Sequence, residues 1–270
     1  MISLEILDAS VPADRARWLA LWSSWPGREV QAHPTYVELF ARDGIDRCLV
    51  ITSKEQDGGV LFPVILRPLS SEPWSGAAQG CWDLITPYGY GGVYRWGAGS
   101  LEAETFLEAL KTWAAQAQVV TGFLRLSLFT DRQLLLPGER DERMTNVVRS
   151  LDLDDEALWS DYAHKVRKNV KRARKHELRV EFDTTGAGLD DFLKIYLSTM
   201  DRRSAGDSFY FERAFFERLI EEIPQGFVFA HVLDPQGEVI STELILLSAE
   251  TGYSFLGGTR AETFAMRPND

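Results

Sequence analysis

Trp18, Leu21, Trp22 and Trp25 recur at helical spacing and predict a helix over 13–25, closed by Pro26 and Gly27. His33 and Pro34 open a second, short helix that runs through Leu39 and Phe40. Apolar runs over 47–53 and 60–69 predict two strands, joined as a hairpin around Gln56, Asp57, Gly58 and Gly59. A loop rich in glycine and aromatic residues is expected over 74–99. A helix follows over 101–117, with Phe106, Leu107, Leu110, Trp113 and Ala114 on one face. Strands are expected at 122–129 and 145–151, separated by a polar stretch that contains Pro137 and Gly138.

The second half alternates in the same way. Leu158, Tyr162, Val166, Val170 and Ala173 lie at steps of four, four, four and three, which predicts one long helix over 154–176 with a continuous apolar stripe. A strand at 178–182, a turn at 184–188 and helices at 189–200 and 211–222 come next. Strands at 226–233, 238–248 and 252–256 close the pattern, the first two joined by Asp234, Pro235, Gln236 and Gly237. Both halves carry a helix–helix–strand–strand rhythm without a residue-level repeat. The reading is a mixed α/β (α+β) chain of two tandem domains, 1–150 and 151–270.

Composition narrows the class. The 270 residues are 45% hydrophobic and 26% charged, with 21 Gly and 11 Pro, too apolar for a disordered chain and too poor in Gly and Pro for a collagen-like one. No apolar run approaches the roughly 20 residues of a membrane-spanning helix, and the first residues show no basic segment followed by an apolar one. No transmembrane segment is expected, and a cytoplasmic setting is. Cys48 and Cys81 form no CxxC pair, and His33, His164, His176 and His231 are scattered, so no metal site is expected.

The formal net charge is −11, but it is unevenly spread. Residues 164–175 hold seven Lys and Arg and no acid; removing those seven from the 29 basic residues leaves 22 against 40 acidic ones, a net of −18 elsewhere. Acids at Asp154, Asp155 and Glu156 and bases at Lys171, Arg172, Arg174 and Lys175 suit the helix macrodipole, as on an amphipathic surface helix. Such a density of like charge also suits a phosphate-binding face, because neighbouring cations repel unless acids intervene.

Two more segments stand out. Thr86, Pro87, Tyr88, Gly89, Tyr90, Gly91, Gly92, Val93 and Tyr94 combine glycines that admit close approach with rings that are flat and polar-tipped. This fits a groove for a polar molecule, or a tight loop capping a core. Tyr253 to Arg260 reads as a strand running into Gly257 and Gly258, where free N–H groups suit an anion or a carbonyl oxygen, or else a strand-end turn. Asp201, Arg202 and Arg203 suit an anion at a helix end, or ordinary C-terminal charge placement. No GxSxG, HExxH or GxxxxGKS pattern is present.

Taken in order, these segments resemble the FemABX-like aminoacyl/acyltransferases of the GNAT superfamily. The residues that carry the resemblance begin with the loop from Thr86 to Gly92. They continue through Trp159, Ser160, Asp161 and Tyr162, then Val166 to Ala173, then Leu178, Arg179 and Val180. Ile195, Tyr196, Thr199, Met200, Arg203, Tyr210 and Phe211 follow, and Leu256 to Arg260 with Arg267, Pro268 and Asn269 come last. The resemblance implies two tandem GNAT-like domains with mixed sheets flanked by helices, the second C-terminally truncated at Asp270, where relatives continue.

It also implies transfer of an aminoacyl or acyl group to an amine of a cell-wall precursor or a related peptide or sugar. The donor is aminoacyl-tRNA or acyl-CoA, a co-substrate in place of a bound cofactor, and the CoA phosphate loop Gln/Arg-x-x-Gly-x-Gly/Ala is absent. On this reading Arg167, Lys168, Lys171 and Arg172 meet phosphates of tRNA or of a phosphate-bearing acceptor. Tyr88, Tyr90, Gly91 and Gly92 line the acceptor groove. Gly257, Gly258, Thr259 and Arg260 hold the donor end, Arg203 adds charge, and Tyr253 and Tyr210 relay protons. The alternative is a module without enzymatic activity that binds polyanions through the 164–175 helix.

Overall fold

The structure, a computed structural model, describes residues 2–269 apart from 56–57, 74–75, 77–79, 98 and 100. The chain divides into two compact units. The first comprises residues 1–139 with 248–251, and the second comprises 140–247 with 252–270. The boundary expected at 150/151 lies inside the second unit.

In the first unit a mixed sheet runs in the order β1 (Glu5–Asp8), β2 (Arg47–Glu55), β3 (Gly58–Pro68), β4 (Trp82–Ile85), β6 (Val119–Phe123), while β5 (Tyr94–Gly97) pairs with β3. β3 is almost wholly buried, as its run of apolar residues requires of a strand covered on both faces. Its side chains alternate. Val60, Phe62, Val64 and Leu66 pack with Leu49, Ile51, Leu84 and Phe106. Leu61 and Ile65 pack with Trp18, Trp25, Val37 and Tyr94. Each fully buried side chain of this size contributes roughly 1.5–3 kcal/mol. Pro63 sits between the stretches of β3 that pair with β5 and with β4, where only β2 is alongside, so a missing N–H is tolerated. Helices α1 (Pro12–Ser24) and α2 (Pro34–Glu38) fall where expected, and α3 (Ala103–Gln116) crosses over to bring β6 parallel to β4.

The second unit is an antiparallel sheet in the order β10 (Gly252–Thr259), β9 (Val239–Leu247), β8 (Phe227–Leu233), β7 (Arg179–Asp183). β8 buries Phe227, Phe229, His231 and Leu233 in strict alternation. Helices α6 (Leu189–Arg203) and α7 (Arg213–Glu222) supply Phe192, Tyr196 and Phe216, and Phe192 packs 5.2 Å from Phe216 and 4.9 Å from Phe229.

Four expectations are corrected. The stretch 74–99 is not one loop, since it contains β4 and β5. The strand expected at 122–129 starts earlier and ends at Phe123. Residues 145–151 form no strand: Val147 is 98% exposed and nothing pairs with the segment, and alternation has no consequence without a surface to pack on. The long helix is two helices, α4 (Asp155–Asp161) and α5 (His164–Lys175), because Tyr162 and Ala163 take extended backbone. Arg149 holds the break, with its guanidinium 4.4 Å from the Tyr162 ring centroid and 2.9 Å from Asp161, while Arg167 donates to the Ser160 carbonyl across it. That last bond satisfies a carbonyl orphaned at the end of α4. The turn expected at Gln56 and Asp57 lies outside the described residues.

Candidate functional site

α5 presents Lys165, Arg167, Lys168, Lys171, Arg172, Arg174 and Lys175, and none of them forms an ion pair among the described residues. Its apolar side, Val166, Val170 and Ala173, is half-buried, so the charges are turned outward. Arg167, Lys171 and Arg174 share one flank, and Lys168, Arg172 and Lys175 share the next, since residues three and four apart are neighbours on a helix. Arg174 lies over the Trp159 ring, 5.1 Å from its centroid. A helix with this field attracts a polyanion, and the acidic remainder of the chain repels one.

The 86–94 segment is tightly built. Thr86 Oγ1 accepts from the Arg125 N–H at 2.8 Å, and the Tyr36 hydroxyl donates to the Tyr88 carbonyl at 3.0 Å. Gly92 has φ +109°, and a Cβ there would lie 2.4 Å from Gln133 Nε2, so both backbone and neighbour demand glycine. Gln133 in turn donates to the Gly91 carbonyl. Gly91 and Gly92 are thus buried structural residues, while Tyr88 is exposed and Tyr90 half-exposed. Burial, then the neighbouring Tyr88, holds the Tyr90 phenol above its usual range.

At the other candidate segment Gly257 and Gly258 lie inside β10, paired with Glu243 and Thr242. A Cβ on Gly258 would stand 2.6 Å from Thr199 Oγ1 and 2.8 Å from the Ile195 carbonyl, so this glycine lets α6 pack directly on the strand. Thr259 Oγ1 is bonded to Ser241 Oγ at 2.8 Å, and Arg260 lies 3.6 Å from Glu238. Arg202 donates to the Thr259 carbonyl at 3.2 Å and stacks on Phe264, which joins the end of α6 to the end of β10. Arg203 beside it is exposed. Tyr210 donates to Asp201 at 3.0 Å, and partial desolvation together with that carboxylate raises its pKa. Tyr253 is buried at the opening of β10.

The structure therefore brings Tyr88, Tyr90, Gly91 and Gly92 together in the first unit. In the second it gathers Arg203, Tyr210, Thr259 and Arg260 near the α6 terminus and leaves the α5 stripe as a separate surface. Two residues were not anticipated. Arg125 sits beside the 86–94 loop. His231 lines a cavity of about 260 Å³ with Glu181, Asp183 and Asp191. Its Nδ1 is 2.9 Å from Thr242 Oγ1, its Nε2 is buried without a partner, and burial outweighs the three carboxylates to lower its pKa. A basic residue in an apolar alternation leaves no mark in sequence that distinguishes it from core. Among the described residues no cluster of His, Cys, Asp and Glu suits a metal ion.

Residues 160–270, which include α5 and the whole second sheet, match the family model of an acetyltransferase (GNAT) domain. The chain as a whole has the fold of a solved structure titled "Crystal structure of FemX": TM-score 0.64, 12% identity, covering 94% of this chain and 81% of that one. At that identity the likeness to the solved structure is one of fold. No curated relative matches the sequence. No helix among the described residues is long and apolar enough to cross a membrane.

Proposed function

We propose that the chain is an N-acyltransferase that moves an aminoacyl group from aminoacyl-tRNA to an amine of a cell-wall precursor or a related peptide or sugar, in the cytoplasm. The observation that carries the donor is α5: seven outward cations without an acidic partner among the described residues, within the stretch that matches the GNAT domain. Transfer needs a neutral amine to attack the ester carbonyl. The new C–N bond forms, the bond to the ribose oxygen breaks, and the proton leaving nitrogen balances the one the ribose oxygen takes. An activated ester requires positioning and oxyanion stabilisation more than strong acid–base help. That fits a sequence without a GxSxG pattern. Arg167, Lys168, Lys171 and Arg172 would hold phosphates, Tyr88 and Tyr90 would face the acceptor, and Gly258, Thr259 and Arg260 would lie toward the donor end. Gly91, Gly92 and Gly257 would support these surfaces through the backbone. Tyr210, bonded to Asp201, is the accessible proton relay, and Tyr253 would act only from a buried position.

A second reading, an acyl-CoA-dependent N-acyltransferase, is favoured by the acetyltransferase family model over 160–270. Calorimetric titration with CoA and with charged tRNA, followed by transfer of a labelled amino acid to a peptidyl amine, separates the two. Saturable tRNA binding with transfer supports the first. CoA binding with transfer from acetyl-CoA replaces it with the second.

A further inference from the structure

β4 and β6 run parallel and end together, with Ile85 opposite Phe123. Beyond the strands, Thr86 to Tyr88 on one side and Leu124 and Arg125 on the other lie at these carboxyl ends, and the Thr86 N–H still reaches the Phe123 carbonyl at 3.3 Å. Such ends of parallel strands are where open α/β sheets receive ligands. Arg125 is half-buried there. Its backbone N–H is fixed by Thr86 Oγ1 at 2.8 Å, and its Nη1 donates to the Thr86 carbonyl at 3.3 Å. Its Cζ lies 5.1 Å from the Phe123 ring centroid and 5.9 Å from that of Tyr88. Both rings reach solvent, Phe123 at 60% and Tyr88 at 41% exposure. Tyr88 is itself held, by the Tyr36 hydroxyl and by the Phe40 ring at 5.7 Å.

No carboxylate among the described residues answers this cation. Its Nε and Nη2 groups have no acceptor among the described residues, and they are not sealed from solvent. Asp83, on β4, is committed to Arg67, its cross-strand partner. Desolvation, and after it the neighbouring Arg67, works to lower the Arg125 pKa, and only the Tyr88 and Tyr36 phenols act the other way. A guanidinium held rigid, partly stripped of water and offering two free donor groups beside two open rings is built to pair with an oxyanion.

We propose that Arg125, with Tyr88 and Phe123, is a receptor for an oxyanion, the carboxylate or phosphate of a ligand whose flat or apolar portion lies on the rings. This adds a ligand class to the loop read above as the acceptor surface. It is tested by binding alone, so its failure leaves group transfer untouched, and failure of transfer leaves it standing.

The test is an NMR titration of the full chain with acetate and, separately, with inorganic phosphate, at ionic strength held constant with chloride. The Arg125 Nε–H and Tyr88 ring resonances are followed. A saturable shift of both with at least one anion is expected, and the anion that produces it tells carboxylate from phosphate. R125M should lose the saturable Tyr88 shift, and R125K should weaken it by about tenfold, because an ammonium lacks the planar pair of donors. Drift no different from that in chloride, or an unchanged saturable Tyr88 shift in R125M, overturns the proposal. If R125M does not fold, R125K decides, and undiminished affinity in that variant overturns it.

Discussion

Four arginines of the first unit and the cations of α5 are handled in opposite ways. Arg15 meets Glu38 at 2.8 Å, Arg42 meets Asp46 at 2.7 Å and Glu72 at 3.0 Å, Arg47 meets Asp8 at 2.8 Å, and Arg67 meets Asp83. Each of these joins segments distant in sequence or closes a tight turn. The seven cations of α5 meet no carboxylate among the described residues, although acidic residues outnumber basic ones by 40 to 29 in the chain. Acids were abundant, so leaving α5 unpaired is a property of the sequence and not a shortage. A charge kept out of ion pairs retains its field for a partner.

The largest effect should come from removing that field. Changing Arg167, Lys168, Lys171 and Arg172 together to Gln should lower affinity for tRNA about a hundredfold or more at low salt, and flatten the log–log salt slope by roughly 3–4. Melting temperature should change little, because relief of like-charge repulsion at i,i+4 offsets the loss of the Arg167 bond to the Ser160 carbonyl. Fluorescence anisotropy across a salt series reads both, and an unchanged slope would remove α5 from the binding surface. The converse change, R67M, should leave tRNA affinity alone and destabilise the fold. Asp83 is only 8% exposed and would lose its partner, which after discounting for the partial exposure of Arg67 costs about 2 kcal/mol in denaturant unfolding.

That same pair shows what sequence could and could not carry. The apolar run of β3 and the alternation of β8 were legible because burial on two faces or on one writes itself into hydrophobicity. β4 was not: Trp82, Asp83, Leu84 and Ile85 make four residues, one of them an acid, and Asp83 is tolerated only because Arg67 lies across from it on β3. The apolar pattern over 122–129 puts Arg125 in the middle of a strand. β6 ends two residues before it, alongside the end of β4, which leaves it at the carboxyl ends of the two strands. The break at Tyr162 contains no Pro or Gly. It is made by Arg149, six residues before α4, and Arg167, on α5, both invisible to a helical pattern. The α5 stripe itself was fully legible, since unpaired like charge is a property of composition at short range.

His231 represents a third treatment of a basic side chain, kept neutral in place of being paired or displayed. Burial holds its pKa below that of the unfolded chain despite Asp183, Asp191 and Glu181. The unfolded state therefore binds a proton more readily. The contribution of the neutral ring is complete above about pH 6.5 and is lost as pH falls below that value toward the folded pKa. Thermal unfolding followed between neutral and mildly acidic pH should show this loss, and H231Q should reduce its steepness. An equally steep loss over that range in H231Q would remove His231 as its cause. Asp8 acts lower on the scale: burial raises its pKa, but bonds from Ser10 and Arg47 outweigh it and hold the carboxyl low, so its contribution disappears only at more acidic pH.

The smallest effect tests what pairing by itself is worth. Lys111 and Glu108 form an ion pair at 2.8 Å on the open face of α3, with side chains 60% and 71% exposed. Water screens such a pair and the two side chains lose freedom in forming it, so K111A should change unfolding free energy by no more than about 0.5 kcal/mol. If so, the stability in the first unit comes from where its pairs are buried, as at Arg67 and Asp83, and not from their number. The absence of pairs on exposed α5 then carries almost no penalty to the fold, and a surface helix is free to keep seven charges for a ligand. A loss in K111A as large as in R67M would mean that even exposed pairs hold this fold together, and the unpaired state of α5 would then be a real sacrifice of stability.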